Sequence, residues 1–342
     1  MAQVVEEPIS MPSSSRKVIT AREPWTGGPT DRLPLPPTVK RSHILWIYVI
    51  SFALMHTLAL LAFVPYFFSW IGLAFCIVGV HVFGTGITLC YHRLLTHRSF
   101  KTPKWWERCL VMLSMSSMED TPAKWVAWHR IHHLYSDTEQ DPHSPHVTWF
   151  WGHMGWLMLH NVGTHDIAAF HKYARDILED RFYFALEKYR WLQVVIYAIH
   201  AAIITGIGYA IGYAFFGGHP AGKQLALSFL VWVVFVRTVA VWHITWSVNS
   251  LTHIFGYRNY ATDEYSRNNW LVALLTVGEG WHNNHHYDQA SACNQHRWWE
   301  IDIVYYEIKL MEFFGLASNV IPPKHIRERE RKKGKVSAAI EE

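Results

Sequence analysis

Four long, charge-poor apolar stretches constrain this chain more than any other feature. They run approximately over residues 44–68, 70–90, 194–216 and 225–248. Each provides the roughly 20 predominantly apolar residues that a helix needs to cross a bilayer. A soluble protein built on two buried helical hairpins is the competing architecture, but buried soluble helices are rarely this long and this poor in charge. Half of the 342 residues are hydrophobic, yet mean hydropathy is near zero because about half of the chain lies outside the stretches. The expected fold class is therefore all-α: an integral membrane protein with four transmembrane helices and a helical cytosolic cap. Arg237 lies inside the fourth stretch, where a charge is costly, and is expected to face the protein interior.

Loop charges set the orientation. Lys40 and Arg41 precede span 1, and Arg93, Arg98, Lys101 and Lys104 follow span 2. Lys188 and Arg190 precede span 3, and Arg258 and Arg267 follow span 4. The connection between spans 1 and 2 has no Lys or Arg, and that between spans 3 and 4 has only Lys223. The positive-inside bias puts both termini, 91–193 and 249–342 in the cytoplasm, beneath a bacterial inner membrane or the endoplasmic reticulum. The expected division is a flexible cytosolic arm over 1–40, a main domain over 41–320 with its cap in 91–193 and 249–320, and a basic tail over 321–342. The arm is polar, carries Glu6 and Glu7 and ends in Leu33-Pro34-Leu35-Pro36-Pro37, unlike a signal or transit peptide. The tail reads as a solvated helix end, with contact to anionic lipid headgroups as its functional reading. Cys76, Cys90, Cys109 and Cys293 show no CxxC spacing and read as reduced packing residues. No nucleic-acid partner is expected.

Histidine is in excess, at 23 residues, and its spacing is regular. His92 and His97 follow span 2; His129, His132 and His133 form one His-x-x-His-His motif, and His282, His285 and His286 form a second. Asn249 and His253 follow span 4 at i and i+4. Residues at i, i+3 and i+4 share a helix face, so each His-x-x-His-His is expected to aim three imidazoles at one place. His92 and His97, five apart, diverge around a regular helix, which suits ligands to two different metals or a distorted helix end. Nine histidines and one Asn exceed the roughly six ligands a single metal takes, so two metals with open positions are expected. Imidazole serves iron, zinc, copper and nickel alike, and the spacing does not name the metal. A zinc protease would carry a Glu inside its helical motif as general base, and no His-Glu pair occurs in the chain. A metal transporter or sensor is the alternative of another class, but it would place ligands within the spans or in a loose His-rich loop.

At these residues the sequence strongly resembles the membrane fatty-acid desaturases, specifically their Δ9-type acyl branch. The resemblance covers about 40–320 and is carried by GITLCYHRLLTHRSF (86–100), WHRIHHLYSDTEQDPHSP (128–145), WGHMGW (151–156), NSLTH (249–253), SRNNW (266–270), GEGWHNNHH (278–286) and RWWEIDIVYYEIK (297–309). It implies a di-iron centre in the cap. His92, His97, His129, His132, His133, His253, His282, His285 and His286 would be direct ligands, with Asn249 holding one iron through water. It implies O₂-dependent conversion of a saturated C16–C18 acyl chain to a cis-monoene, in unsaturated fatty acid biosynthesis. The chain would be carried on CoA, acyl carrier protein or a glycerolipid. Hydroxylation is the alternative reaction.

Acids beside the boxes, namely Asp137, Glu139, Asp141, Glu279 and Asp288, are candidates to accept the other ring N–H of ligating histidines. Asp141 and Glu279 are the foremost of these, while others would cap helices or pair with Arg130 and Arg267. The resemblance also implies a dry acyl tunnel whose closed end is lined by span 2, with Cys76 and Val80 near that end. No His-Pro-Gly-Gly motif of a fused cytochrome b5 is present. An external electron donor, ferredoxin or cytochrome b5 with its reductase, is therefore expected to dock on the cap.

Overall fold

The computed structural model describes residues 32–340; residues 1–31 of the expected arm and 341–342 of the tail lie outside the described residues. Four helices are long and apolar enough to cross a membrane: Trp46–Phe63, Trp70–Thr96, Trp191–Phe215 and His219–Leu251. Spans 2 and 4 have 27 and 33 residues. At about 1.5 Å per residue they rise about 40 and 50 Å, against a hydrocarbon core of roughly 30 Å. The surplus projects into the cap and carries His92 and Asn249. Spans 2 and 4 form the inner pair, 44% and 61% buried over their most apolar windows, against 11% for spans 1 and 3.

Span 2 does not end near Cys90, as its hydropathy predicts, but continues to Thr96 as a π-helix over Gly86–Thr96. The wider turn bonds residue i to i+5, as His97 N–H donating to His92 C=O at 3.1 Å illustrates. Such segments are rare and concentrate at functional sites. Arg237 is fully buried, as its position in span 4 predicts. It donates to the Val233 and Ser116 carbonyls, both at 3.2 Å, bonds His200 Nε2 at 3.0 Å and stacks over the Phe83 ring.

Six helices of the cap matter for the site: α1 (Lys104–Met115), α2 (Pro122–Tyr135), α3 (Trp149–His153), α4 (Trp270–Leu275), α5 (His282–Tyr287) and α6 (Ile303–Phe313). Pro122 opens α2, where its fixed φ suits a first turn and its missing N–H costs nothing. Ile87, Tyr91, Val111, Met115, Val126 and Ile308 share one apolar core, which seals the π-segment to α1, α2 and α6. The described end of the expected arm is not free. Leu33 N–H donates to His146 C=O at 3.0 Å, and strand β1 (Val39–Ile44) pairs antiparallel with β2 (Leu159–Asn161). This two-stranded ribbon is the one sheet among the described residues.

Two glycines in the Gly-Glu-Gly turn before α5 are dictated by close approach. Gly278 has φ +132°, and a Cβ there would meet Asp302 Oδ1 at 2.5 Å; at Gly280 it would meet Ala273 N at 2.0 Å. Only glycine permits this turn, which drives Glu279 into the cap interior.

Candidate metal centre

The nine histidines gather into two adjoining clusters. His92, His97, His129, His133 and His285 form the first; His132, His253, His282 and His286 form the second, with the ligand atoms of each within 4.8 Å of one another. The division departs from the sequence expectation in two respects. Each His-x-x-His-His motif is split rather than aimed at one place. The i and i+4 pair of α2, His129 and His133, serves the first cluster, and its i+3 member, His132, serves the second. In α5 the split is reciprocal: His282 and His286 serve the second cluster and His285 crosses to the first. The reason is angular, since i and i+4 lie about 40° apart on a helix whereas i+3 lies on the other side of i. Second, His92 and His97 converge on one cluster, because the π-turn aligns i with i+5; the distorted helix end is the alternative realised.

Within the first cluster, Nε2 atoms approach at 3.2 Å (His97–His129), 2.9 Å (His129–His133), 3.0 Å (His133–His285) and 3.1 Å (His92–His285). In the second, His253–His282 and His282–His286 are both 3.0 Å. The rings of His133 and His286 meet across the boundary, with centroids 4.5 Å apart.

Carboxylates fix the tautomers from outside. His92 Nδ1 lies 2.9 Å from Glu279 Oε2, His132 Nδ1 3.1 Å from Asp141 and His253 Nδ1 2.8 Å from Asp137. Each Nδ1–H is thus spent on a carboxylate, and the Nε2 lone pair faces inward. His286 Nδ1 is 3.7 Å from Glu264. Burial, then neighbouring imidazoles, hold His97, His129, His133, His282, His285 and His286 well below the usual histidine range. They are neutral donors. His253 differs: burial disfavours its charge, but the Asp137 carboxylate outweighs burial and raises it to about 9. Burial would raise Glu279, yet Arg93 and His92 hold it down at about 2. Neutral rings whose lone pairs crowd inward at hydrogen-bond distance repel one another unless a proton, as on His253, or a metal cation lies among them. The donor set therefore fits two metal ions.

Of the candidate acids, Asp141 and Glu279 lie within hydrogen-bond distance of clustered imidazoles, those of His132 and His92. Asp137 stands likewise beside His253 and also accepts from Ser144 Oγ and the Tyr265 N–H. Glu264 was missed, because no periodicity links its loop to the boxes. Glu139 is exposed, and Asp288 instead ties Lys324 N–H and Arg327 at the start of the C-terminal helix. Arg130 pairs with Asp176 rather than with an acid of the boxes.

A cavity runs beside both clusters, lined by His92, His129 and His282 together with Asn249. Its apolar walls come from spans 1, 2 and 4, and Glu119, Asp120 and Glu279 are its acidic residues. Val80 lines it, with Gly84 one turn nearer the histidines. Cys76 does not. It is buried in the bundle within electrostatic reach of Arg237, one turn beyond the wall.

Four helices long and apolar enough to cross a membrane, with two histidine clusters beside an apolar cavity, define a class, proteins with a polyhistidine metal site at the root of an apolar helical bundle. Comparison with known proteins makes this particular. A profile of the fatty acid desaturase family matches residues 68–311. The chain is 42% identical over 285 residues to an sn-1 stearoyl-lipid 9-desaturase of Anabaena variabilis, covering 83% of this chain and 96% of that one. It is 42% identical over 282 residues to an sn-1 stearoyl-lipid 9-desaturase of Synechocystis sp., covering 81% of each. An acyl-CoA C20 Delta5-desaturase of Anemone leveillei is 35% identical over 318 residues, covering 88% of this chain and 93% of that one. The chain belongs to the fatty acid desaturase family and is an oxidoreductase.

Proposed function

We propose that this protein is a Δ9 acyl desaturase that converts a saturated C16–C18 chain, esterified in a membrane glycerolipid, to its cis-monoene. The observation that carries this reading is the nine-imidazole site, split five and four, on the wall of a cavity framed by the spans. His92, His97, His129, His133 and His285 would hold one iron, and His132, His253, His282 and His286 the other, with Asn249 as the further ligand its family-like position implies. Iron so held supplies, with O₂, the oxidant needed to remove hydrogen from unactivated methylenes, which no side chain can do.

The rest falls to the chain itself. Asp137, Asp141 and Glu279 keep three imidazoles oriented. Ile87, Trp125, Trp128 and Trp246 line a dry cavity that holds one carbon pair beside the clusters. Among the described residues no Lys or Arg lines that cavity, whereas binding the phosphates of CoA calls for cations. The stearoyl-lipid names of the cyanobacterial relatives favour the same carrier. Electrons come from a separate donor, ferredoxin or cytochrome b5 with its reductase, docking on a cytoplasmic cap. The membrane is a bacterial inner membrane or the endoplasmic reticulum, with both termini cytoplasmic.

The test is gas chromatography of fatty-acid methyl esters from a host without its own desaturase, expressing either the chain or His132→Ala. A new Δ9 cis-monoene that disappears in the variant supports the proposal. A hydroxy acid in its place makes the enzyme a hydroxylase. No new lipid, with ferredoxin and cytochrome b5 systems supplied and no iron in the purified protein, defeats the proposal.

A further inference from the structure

The cavity has two unlike ends. Toward span 1 it is closed by buried Phe52, Trp156 and Leu157. Away from span 1 the lining includes His81, Gly84 and Thr88 of span 2, Ile244 and Val248 of span 4, and Leu275 of α4, and of these Leu275 and His81 reach the surface, which makes this side the rim. Two of these rim residues also belong to the outer, lipid-facing surface. His81 continues the exposed stripe Ile77, Val78 and Val82 around span 2, and Leu275 ends the exposed stripe Trp270, Leu271 and Leu274 on α4. An opening whose edges are shared with the lipid-facing surface faces the bilayer, not water.

Helix α6 borders this opening. Its Val304 N–H donates to the C=O of Val277, a cavity-lining residue, at 3.2 Å, and Glu307 Oε1 accepts from His81 Nε2 at 2.8 Å. The second oxygen of Glu307 is buried without a partner. Val304 and Ile308 anchor the inner face of α6, while Ile303, Tyr306, Leu310 and Phe313 form an exposed apolar stripe on the other. A helix of this pattern lies in the membrane interface. Besides these core anchors and the Asp302–Arg93 pair at its start, the helix is joined to span 2 at the surface by the polar pair His81–Glu307.

Resting on the desaturase reading, we propose that the glycerolipid reaches the cavity sideways from the bilayer, through the opening between spans 2 and 4, and that the half-exposed His81–Glu307 side-chain pair, reaching from span 2 to the fixed helix α6, is its movable edge. A lipid that never leaves the membrane needs no cation-rich docking site, which agrees with the lining.

The test uses the full chain in proteoliposomes with its electron donors, in a Cys109→Ser background that removes the exposed thiol. His81→Cys/Glu307→Cys is bridged by a short bifunctional thiol reagent that dithiothreitol cleaves. Deuterated stearoyl-phosphatidylcholine in the bilayer and added stearoyl-CoA are offered separately. Bridging is expected to slow lipid desaturation about tenfold or more, as for other locked lids, with full recovery on reduction and unchanged iron content. The two single-Cys variants should not respond to the reagent. Leu275→Trp narrows the rim without touching the tether and is expected to slow lipid desaturation as well. Equal rates in bridged and reduced protein, or use of stearoyl-CoA but not of the phospholipid, overturn the inference and leave the desaturase reading standing. If the unbridged enzyme desaturates neither carrier, the desaturase reading itself fails.

Discussion

Replacing Arg93 by Met tests whether the cap depends on one buried cation. Arg93 is 1% exposed and spends all five guanidinium N–H donors. Two go to Glu279 at 2.9 and 2.7 Å, two to Asp302 at 2.9 and 3.0 Å, and one to the Ala292 carbonyl at 2.8 Å. Met matches the stem but leaves two buried carboxylates facing each other without their cation. Removing one partner from such a buried network costs about 3–5 kcal/mol, which for a protein of this size lowers the melting temperature by about 4–7 °C. The damage extends to the metal centre. Arg93 is the foremost of the charges that hold Glu279 down at about 2; without it, Glu279 takes up a proton and loosens its hold on His92 Nδ1. Bound iron should fall together with the melting temperature, measured by metal analysis and thermal size-exclusion chromatography on detergent-purified protein. Adding Asp302→Asn removes one stranded charge and should restore about half of the lost stability. An Arg93→Met protein that melts within about 1 °C of wild type and keeps its iron would refute the reasoning, since a buried network of this kind cannot be silent.

Three further outcomes follow from the geometry. His285→Ala, which takes a ligand from the first cluster only, should lower bound metal from two ions to about one; two ions retained on metal analysis would contradict the five-and-four division. Val80→Trp, on the cavity wall, should shift products toward shorter acyl chains, whereas Cys76→Trp should cost about 1–3 kcal/mol of overpacking without changing chain-length preference; gas chromatography and melting curves separate the two. In metal-free protein, His97, His129, His133, His282, His285 and His286 lie below their unfolded value of 6.5. Their stabilising contribution is complete above pH 6.5 and is lost as pH falls, at up to about 1.4 kcal/mol per group per pH unit. His253, raised to about 9, acts oppositely: its contribution is complete below pH 6.5 and fades as pH rises through 9. With six groups against one, the metal-free protein should melt lower at pH 5.5 than at 7.5, and a flat or inverted profile would count against neutral imidazoles.

The sequence by itself determined the four spans, the inward Arg237 and every histidine of the site. These rest on local properties, namely the length of apolar runs and the regular spacing of one residue type. Asp141 and Glu279 were legible too, because each lies beside a histidine box, although Glu279 supports His92 of a different box. Tertiary structure alone decided which imidazole serves which cluster. Spacing fixes the angle of a side chain on its own helix, but whether His132 or His285 crosses to the other centre depends on where the facing helix stands. It also decided that span 2 runs on as a π-helix, which turns the five-residue gap between His92 and His97 from divergence into convergence. Glu264 reaches His286, Cys76 falls off the cavity wall and residues 33–44 dock on the cap for the same reason. Each depends on contacts between segments far apart in the chain, and no local pattern records them.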